Sequence, residues 1–155
     1  MKKIESFKIN HLILERGLYV SRRDSLGGAH TTTFDLRLTL PNREPPADSP
    51  ALHTIEHLGA TFLRSHARAN EVIYFGPMGC RTGFYLVMFG KLEPQDAYPL
   101  VIEMCDFILG FDGDIPGATP IECGNYLEQN LATAKYYISK YKTDLEQNKN
   151  FTYKA

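Results

Sequence analysis

The chain has 155 residues, a formal net charge of −1 and a pI near 6.5, so its charge gives no reason to expect binding to nucleic acid or to an anionic membrane. The length predicts a single domain with a substantial core. Three widely spaced cysteines argue against a disulfide framework and favour a reducing, cytoplasmic compartment. The start, MKKIESFKIN, has no apolar stretch like that of a signal peptide, and no apolar run in the chain approaches membrane-spanning length.

The first half of the chain predicts mainly strands. A strand is expected around LYVSRR, followed by a turn at SLGG, residues 25–28. In the segment 31–40, apolar and polar side chains alternate, which predicts a strand with one buried face. Its apolar positions are Phe34, Leu36, Leu38 and Leu40. EVIYF and TGFYLVMFG predict two further strands, separated by the tight segment GPMGCR.

A helix rich in histidine is predicted between these strands. Ser49 is the expected N-cap and Pro50 the first helical residue. At about 100° per residue, His53, Glu56 and His57 lie within one arc of the helix surface. A separate apolar stripe faces the core and consists of Leu52, Ile55, Gly59, Phe62 and Leu63.

The H-x-x-E-H pattern of this helix has two interpretations. Two imidazoles one turn apart can bind one cation, and the carboxylate between them can move protons for a metal-bound group. Alternatively, a surface helix carries these residues for solubility and the pattern arises by chance. The N-cap and the position of the polar arc beside the buried face favour the metal site.

The second half of the chain predicts helices separated by a long loop. One helix is expected from about Pro94 to Leu109, with Cys105 as a small buried side chain on its apolar face. The loop covers residues 111–125, and a last helix runs from about Tyr126 into the 140s. Strands and helices alternate irregularly, so the expected class is α+β, a single domain with an antiparallel sheet packed against helices.

A catalytic metal usually has a third protein ligand besides two histidines. Cys123 lies at the foot of the last predicted helix, where a thiolate would gain from the helix N-terminus, but a packed loop cysteine is an equal alternative. Cys80 lies in a glycine-rich turn beside Arg81, which suits an exposed thiol of lowered pKa, and a buried turn cysteine is the alternative. The other candidates for a third ligand are His11, His30, His66 and Cys105.

Five segments in a fixed order resolve what spacing leaves open: ESFKINH, FDLRLTLPN, HTIEHLGATFLRSH, PMGCRTGFY and ECGNY. As a set, at this chain length, they resemble the S-ribosylhomocysteine lyase (LuxS) family over nearly the whole chain. H-x-x-E-H alone is less specific, because inverzincin peptidases share it; those are much larger and take a carboxylate as third ligand. The resemblance implies a cytoplasmic bacterial homodimer with two sites at the subunit interface, and a His-bearing helix of the type found in inverzincin-like folds.

The resemblance also implies the reacting groups. His53, His57 and Cys123 match the family's metal ligands, for one divalent ion per subunit, Fe²⁺ natively and replaceable by Zn²⁺ or Co²⁺. Cys80 matches the catalytic thiolate and Glu56 the second acid–base group. The implied reaction cleaves the thioether of S-ribosylhomocysteine, giving homocysteine and 4,5-dihydroxy-2,3-pentanedione, the precursor of autoinducer-2.

Four further positions match residues that contact the substrate. Ser6, His11 and Arg37 match residues around the ribose, and Arg64 matches one near the homocysteine end. One position departs from the family: many relatives carry an acidic residue where this chain has Tyr74, three residues before the proline of P-M-G-C. That departure leaves the metal and the thiol unaffected, and it puts contacts to the amino-acid end of the substrate in doubt.

Two rival functions use the same helix. A small metallopeptidase would use Glu56 to activate water and would have no role for Cys80. A non-catalytic metal-binding domain would need a closed site of four ligands, and no fourth cysteine or histidine is evidently placed near Cys123 in the sequence.

Overall fold

The computed structural model describes residues 1–154, which form one antiparallel sheet and three long helices. In chain order these elements are β1 (Gly17–Leu26), β2 (Ala29–Arg37), α1 (Ser49–Ser65), β3 (Val72–Pro77), β4 (Gly83–Phe89), α2 (Pro94–Gly110) and α3 (Leu131–Asn148). The strand order is β1-β2-β4-β3, and each neighbouring pair is antiparallel. The predicted class, α+β with an antiparallel sheet packed against helices, is confirmed.

One face of the sheet and the three helices enclose a single apolar core. Phe34 and Leu36 of β2 and Leu86 of β4 are buried against the apolar stripes of the helices. Gly59 lets α1 lie close to β3, because a Cβ at this position would stand 2.4 Å from the ring of Phe75. The histidine-bearing helix is therefore fixed tightly against the edge of the sheet.

The prediction for β2 is wrong at its end. The strand stops at Arg37, whereas the alternating pattern predicted it to continue to residue 40. Beyond Arg37 the backbone turns toward the β3–β4 connection, where the N–H groups of Leu38 and Thr39 both donate to Thr82 O. Apolar and polar residues continue to alternate in the sequence after Arg37, but the hydrogen-bonded pairing with the neighbouring strand ends there.

The prediction of one buried face for β2 is also wrong, because its polar face is covered as well. Asp35 and Arg37 are 1% and 2% exposed. The segment after α3 folds back over this face: β1 donates a backbone N–H to Asn150 O, and the ring of Tyr153 stacks on Tyr19 at 4.5 Å between centroids. A segment more than a hundred residues later in the sequence thus helps to bury two charged side chains of β2.

The predicted histidine helix is confirmed with a shift of one residue at its start. Asp48, not Ser49, is the N-cap, and its side chain accepts a hydrogen bond from Ala51 N. Ser49 is the first helical residue and Pro50 the second, where a missing N–H is still tolerated. The predicted apolar stripe is buried, apart from the partly exposed Phe62.

Of the two later helices, the first begins where the sequence predicted and the second begins later than predicted. The predicted helix from Pro94 is confirmed as α2, and Cys105 is fully buried on it. The last helix begins at Leu131 rather than at Tyr126, with Asn130 as the N-cap. Cys123 therefore lies in the loop and gains nothing from a helix N-terminus, which corrects that argument. None of the helices in residues 1–154 is long and apolar enough to cross a bilayer.

Candidate active site

Two histidines of α1 and one loop cysteine meet at the edge of the domain. His53 Nε2 lies 3.0 Å from His57 Nε2 and 3.4 Å from Cys123 Sγ. One ligand atom from each of these residues lies within 4.8 Å of the others. We refer to His53, His57 and Cys123 as the His–Cys cluster.

The protonation of the two imidazoles follows from their outer partners. His53 Nδ1 lies 2.9 Å from Glu128 O, and His57 Nδ1 lies 2.7 Å from Pro116 O. A carbonyl oxygen only accepts, and the Glu128 carbonyl at 2.9 Å lies closer to His53 Nδ1 than the Gln129 amide nitrogen does at 3.3 Å. Both Nδ1 atoms therefore carry the proton, and both Nε2 atoms present a lone pair. Two lone pairs 3.0 Å apart, with a sulfur beside them, repel one another without a cation and suit a divalent metal.

The loop before α3 is shaped to present these carbonyl groups. Gly117 has φ +73°, and a Cβ on it would lie 3.2 Å from His57 Nδ1. On the α1 side, Thr54 donates to Gln129 Oε1 at 2.7 Å and accepts from Asn130 N at 2.9 Å. These supports could not be predicted from the sequence, because backbone carbonyls have no sequence signal; only the Pro-Gly pair at 116–117 is typical of a turn.

Glu56 stands next to the His–Cys cluster with its carboxylate free. It lines a cleft of about 350 Å³ together with His53, Arg81 and Glu128. Within residues 1–154 its side chain makes no hydrogen bond or ion pair, unlike most other partly buried carboxylates of the chain. A carboxylate without a structural partner in a cleft is suited to proton transfer.

Cys80 lies at the tip of the β3–β4 turn. The turn is closed by Met78 N donating to Gly83 O and by Arg81 N donating to Met78 O, both at 2.9 Å. Arg81 adopts φ +58°, a strained value for a residue with a side chain. Cys80 is exposed and lines a cleft of about 230 Å³ with His11. Of the two alternatives for this cysteine, the structure has the exposed thiol.

Behind Cys80, a run of hydrogen bonds leads into the buried polar face of the sheet. Cys80 Sγ lies 3.1 Å from Thr82 Oγ1, which accepts from Arg37 Nη1 at 2.6 Å. Arg37 Nη2 donates to Asp35 Oδ2 at 2.6 Å, and Tyr153 donates its hydroxyl to the same oxygen at 2.8 Å. We refer to Cys80, Thr82, Arg37, Asp35 and Tyr153 as the thiol network.

Charge and burial set the protonation states within the thiol network. Burial opposes the charge of Arg37, but the adjacent Asp35 carboxylate more than offsets this, so the pKa of Arg37 is raised. Burial, with a further contribution from the Asp35 charge, raises the pKa of Tyr153, which keeps its hydroxyl as a donor. Arg37 and Asp35 thus form a buried, hydrogen-bonded ion pair.

Two of the other matched positions, Ser6 and Arg64, lie apart from the reacting groups. Ser6 lines a separate cleft of about 380 Å³, whose walls include Tyr74. Arg64 donates to Val72 O and Ile73 O at 2.8 and 2.9 Å, so its guanidinium holds the start of β3. In one chain the structure therefore groups His11 with Cys80 and leaves Ser6 and Arg64 elsewhere.

Comparison with known proteins identifies the family. The family model for S-ribosylhomocysteinase (LuxS) matches residues 4–152. The chain belongs to the LuxS family. A S-ribosylhomocysteine lyase of Finegoldia magna is 57% identical over 141 residues, which cover 91% of this chain and 90% of that relative. The protein of the same description from Clostridium acetobutylicum is 52% identical over 147 residues, covering 94% and 93%. One from Desulfotalea psychrophila is 51% identical and covers 99% of both.

Membership of the LuxS family agrees with the donor set. The His–Cys cluster offers a thiol as its third ligand, whereas the peptidases that share H-x-x-E-H take a carboxylate. A metallopeptidase in which Glu56 activates water would also have no role for the exposed Cys80. The family therefore favours the lyase over the peptidase and over a closed, non-catalytic metal site.

Proposed function

We propose that this chain is an S-ribosylhomocysteine lyase, which cleaves its substrate to homocysteine and 4,5-dihydroxy-2,3-pentanedione, the autoinducer-2 precursor. The observation that carries the proposal is the match of the LuxS family model to residues 4–152, with relatives of that description at 51–57% identity. One catalytic domain spans the chain. All three cysteines are free thiols, as in a reducing compartment such as the bacterial cytoplasm.

The reaction needs repeated proton transfer before the carbon–sulfur bond can break. The thioether at C5 of the ribose leaves only when a carbonyl at C3 makes the C4 proton acidic. The carbonyl must therefore migrate from C1 to C2 and then to C3, and β-elimination follows. Each step moves a proton beside a carbonyl and develops negative charge on oxygen, so the site needs proton carriers and charge stabilisation.

The His–Cys cluster would hold one divalent metal ion, Fe²⁺, for which Zn²⁺ or Co²⁺ can substitute. When bound, the ion supplies Lewis acidity toward the sugar oxygens without a change of redox state. The protein's part is to orient the ligands: the carbonyl groups of Glu128 and Pro116 hold the protons of both imidazoles on Nδ1, which leaves the Nε2 lone pairs available and would let them bind the ion.

Cys80 and Glu56 are the proposed proton carriers. The Cys80 thiolate takes a proton from one sugar carbon and returns it to the next, which moves the carbonyl along the chain. Glu56, free of structural partners beside the His–Cys cluster, removes the C4 proton and allows the thiolate of homocysteine to leave. Two carriers that reach different sides of the sugar suffice for the sequence of steps.

The substrate contacts follow the family match. Ser6, His11 and Arg37 are proposed to contact the ribose, and Arg64 the homocysteine end. The assignment is best supported for His11, because His11 lines the same cleft as Cys80.

The site is proposed to form at the interface of a homodimer. In one chain, Cys80 and His11 line one cleft. Glu56 and His53 line a second cleft, whose wall also includes Gly79 and Arg81 on either side of Cys80. A site that joins the two clefts can draw Cys80 from one chain and Glu56 from its partner. An isolated monomer would then be inactive.

Incubation of the metal-loaded protein with S-ribosylhomocysteine and a thiol reagent tests the function. We expect free homocysteine to appear with the dione. A protein with about one metal ion per chain that releases no thiol would contradict the proposal, and peptide hydrolysis instead would favour the peptidase.

Mixing two inactive variants tests the shared site. Dimers of Cys80→Ala and of Glu56→Gln are exchanged and assayed together. If the two residues meet across the interface, one of the two sites in each mixed dimer is intact, and about a quarter of the wild-type activity returns after statistical exchange. Absence of recovery, with exchange verified by mass, would place both residues in one chain's site.

A further inference from the structure

Thr82 links the exposed thiol to a buried positive charge, and the hydrogen positions on it are fixed by its neighbours. Arg37 has only donors, so at 2.6 Å from Arg37 Nη1 the Thr82 hydroxyl oxygen must accept. The single hydroxyl hydrogen is then left to donate. Its partner is Cys80 Sγ at 3.1 Å, and Thr82 makes no other side-chain hydrogen bond within residues 1–154.

We propose that Thr82 is a positioning residue that favours the thiolate form of Cys80, by donating its hydroxyl hydrogen to the sulfur while accepting from Arg37. This inference rests on the proposed function only where it gives Cys80 the task of carrying a proton. A hydrogen bond donated to sulfur favours the charged form of a thiol, and a nearby cation acts in the same direction.

The positive charge behind Thr82 is held in place by the buried part of the network. Arg37 is 2% exposed, so water screens its charge weakly. Asp35 binds Arg37 Nη2, and Tyr153 donates to the same carboxylate oxygen. The guanidinium therefore has a fixed orientation, with Nη1 directed at Thr82. Without Thr82, the sulfur has no hydrogen-bonded path to this charge.

Four other titratable or charged side chains surround Cys80 in the described part of the chain: His11, Glu44, Arg81 and Tyr85. The Glu44 carboxylate is paired with Arg16 at 2.6 and 2.7 Å, which offsets its repulsion of a thiolate. Burial, with the Asp35 charge, raises the pKa of Tyr85, so this phenol stays neutral. Arg81 is exposed and its charge is screened by water. Arg37 is the buried cation that reaches Cys80 through hydrogen bonds. Its ion pair with Asp35 offsets part of its attraction for a thiolate, so the hydrogen donated by Thr82 is the main support for the charged sulfur.

The pH dependence of Cys80 alkylation tests the proposal without relying on turnover. The metal-loaded protein is treated with iodoacetamide across a pH series, and the Cys80 peptide is followed by mass spectrometry. Cys105 does not interfere, because burial raises its pKa to about 12, and Cys123 lies on a separate peptide. We expect Thr82→Val to raise the alkylation midpoint of Cys80 by about one pH unit, and Thr82→Ser to keep the wild-type midpoint.

Thr39→Val is the matched control. Thr39 is also a buried threonine, 1% exposed, and its backbone N–H donates to Thr82 O. Its hydroxyl has no partner, so the same change of hydroxyl to methyl should leave the Cys80 midpoint in place. Thr82→Ala provides a second variant without the hydroxyl if the valine does not fit.

The outcomes separate this inference from the proposed function. Equal midpoints for the Thr82 variants, the Thr39 control and the wild type would overturn the role of Thr82. A raised midpoint in both Thr82→Val and Thr82→Ala, restored in Thr82→Ser, supports it. If the acid limb of kcat/KM moves by the same amount, Cys80 also carries the catalytic proton. If only the alkylation midpoint moves, the role of Thr82 stands and the proposed function of Cys80 fails.

Discussion

The His–Cys cluster and the thiol network differ in how far along the chain their members lie. The cluster takes two of its three side chains from one turn of α1. The thiol network joins β2, the β3–β4 turn and a residue beyond α3. The cluster is supported by backbone carbonyls, which survive substitution of side chains. The network depends on a buried ion pair, which a single side-chain change can leave unpaired.

Under the proposed function, the His–Cys cluster binds the metal and the thiol network serves proton transfer, so variants in the two centres should fail in different ways. Loss of a cluster residue should remove metal and activity together. Loss of a network residue should remove activity and leave the metal in place.

Cys123→Ala should have the largest effect. The ligand set falls from three protein donors to two, so metal content should drop from about one ion per chain to near zero, and thiol release should stop. Metal analysis beside the homocysteine assay measures both. Full metal content in this variant would show that Cys123 is not a metal ligand. The distinction between the His–Cys cluster and the thiol network would then fail.

Cys80→Ala should keep the metal and the fold while turnover falls by about a hundredfold or more, as expected for loss of an acid–base group. Metal content and thiol release are measured on the same preparation. Cys80→Asp is the companion variant, since a carboxylate can also carry a proton, although with a different reach. Near-normal thiol release by Cys80→Ala would end the proposed mechanism.

Glu56→Gln should block the reaction late. Carbonyl migration by Cys80 should continue, so keto intermediates accumulate, while homocysteine release falls by about a hundredfold because the C4 proton is not removed. Carbon-13 NMR of a labelled sugar shows the intermediates. If no intermediate forms and metal is retained, Glu56 acts earlier than we propose.

Gly117→Ala should weaken the His–Cys cluster without touching a ligand. The alanine Cβ would lie 3.2 Å from His57 Nδ1 at φ +73°, displacing the carbonyl of Pro116, and metal affinity should fall by about tenfold or more. Gly113→Ala is the control: it also has a positive φ, +110°, but its Cβ would meet nothing within 4 Å. Competition with a chelator compares the two, and equal affinities would assign the effect to backbone strain alone.

The smallest effect concerns stability in alkaline solution. Burial raises the pKa of Tyr19, Tyr141 and Tyr153, and the folded chain keeps them neutral where the unfolded chain ionises. A raised folded pKa gives stability that is fully present below the unfolded value, 10.0, and is lost as pH rises above it. At pH 11 each such tyrosine should cost about 1.4 kcal/mol. Urea unfolding from pH 9 to 11 measures the loss, and Tyr153→Phe should show a shallower decline than the wild type.

Several features could be read from the sequence because they depend on neighbours a few residues away. The periodicity of α1 placed His53 and His57 on one face, and Pro94 marked the start of α2. The order of the five segments indicated the family that the comparison then gave. One boundary error arose where a local signal was shared between neighbours: Ser49 and Asp48 are both good N-caps, and the structure uses Asp48.

Tertiary structure alone decided the contacts between distant segments. Alternation in β2 implied a solvent-facing Asp35, yet Tyr153 lies over it, because a residue pattern records polarity and not what later folds across it. The carbonyls of Pro116 and Glu128 that fix the imidazole protons have no sequence signal, since every residue carries one. The sequence thus determined which side chains can react, through local periodicity and chemistry. The fold determined their protonation, because that depends on charges and hydrogen bonds brought together only by long-range packing.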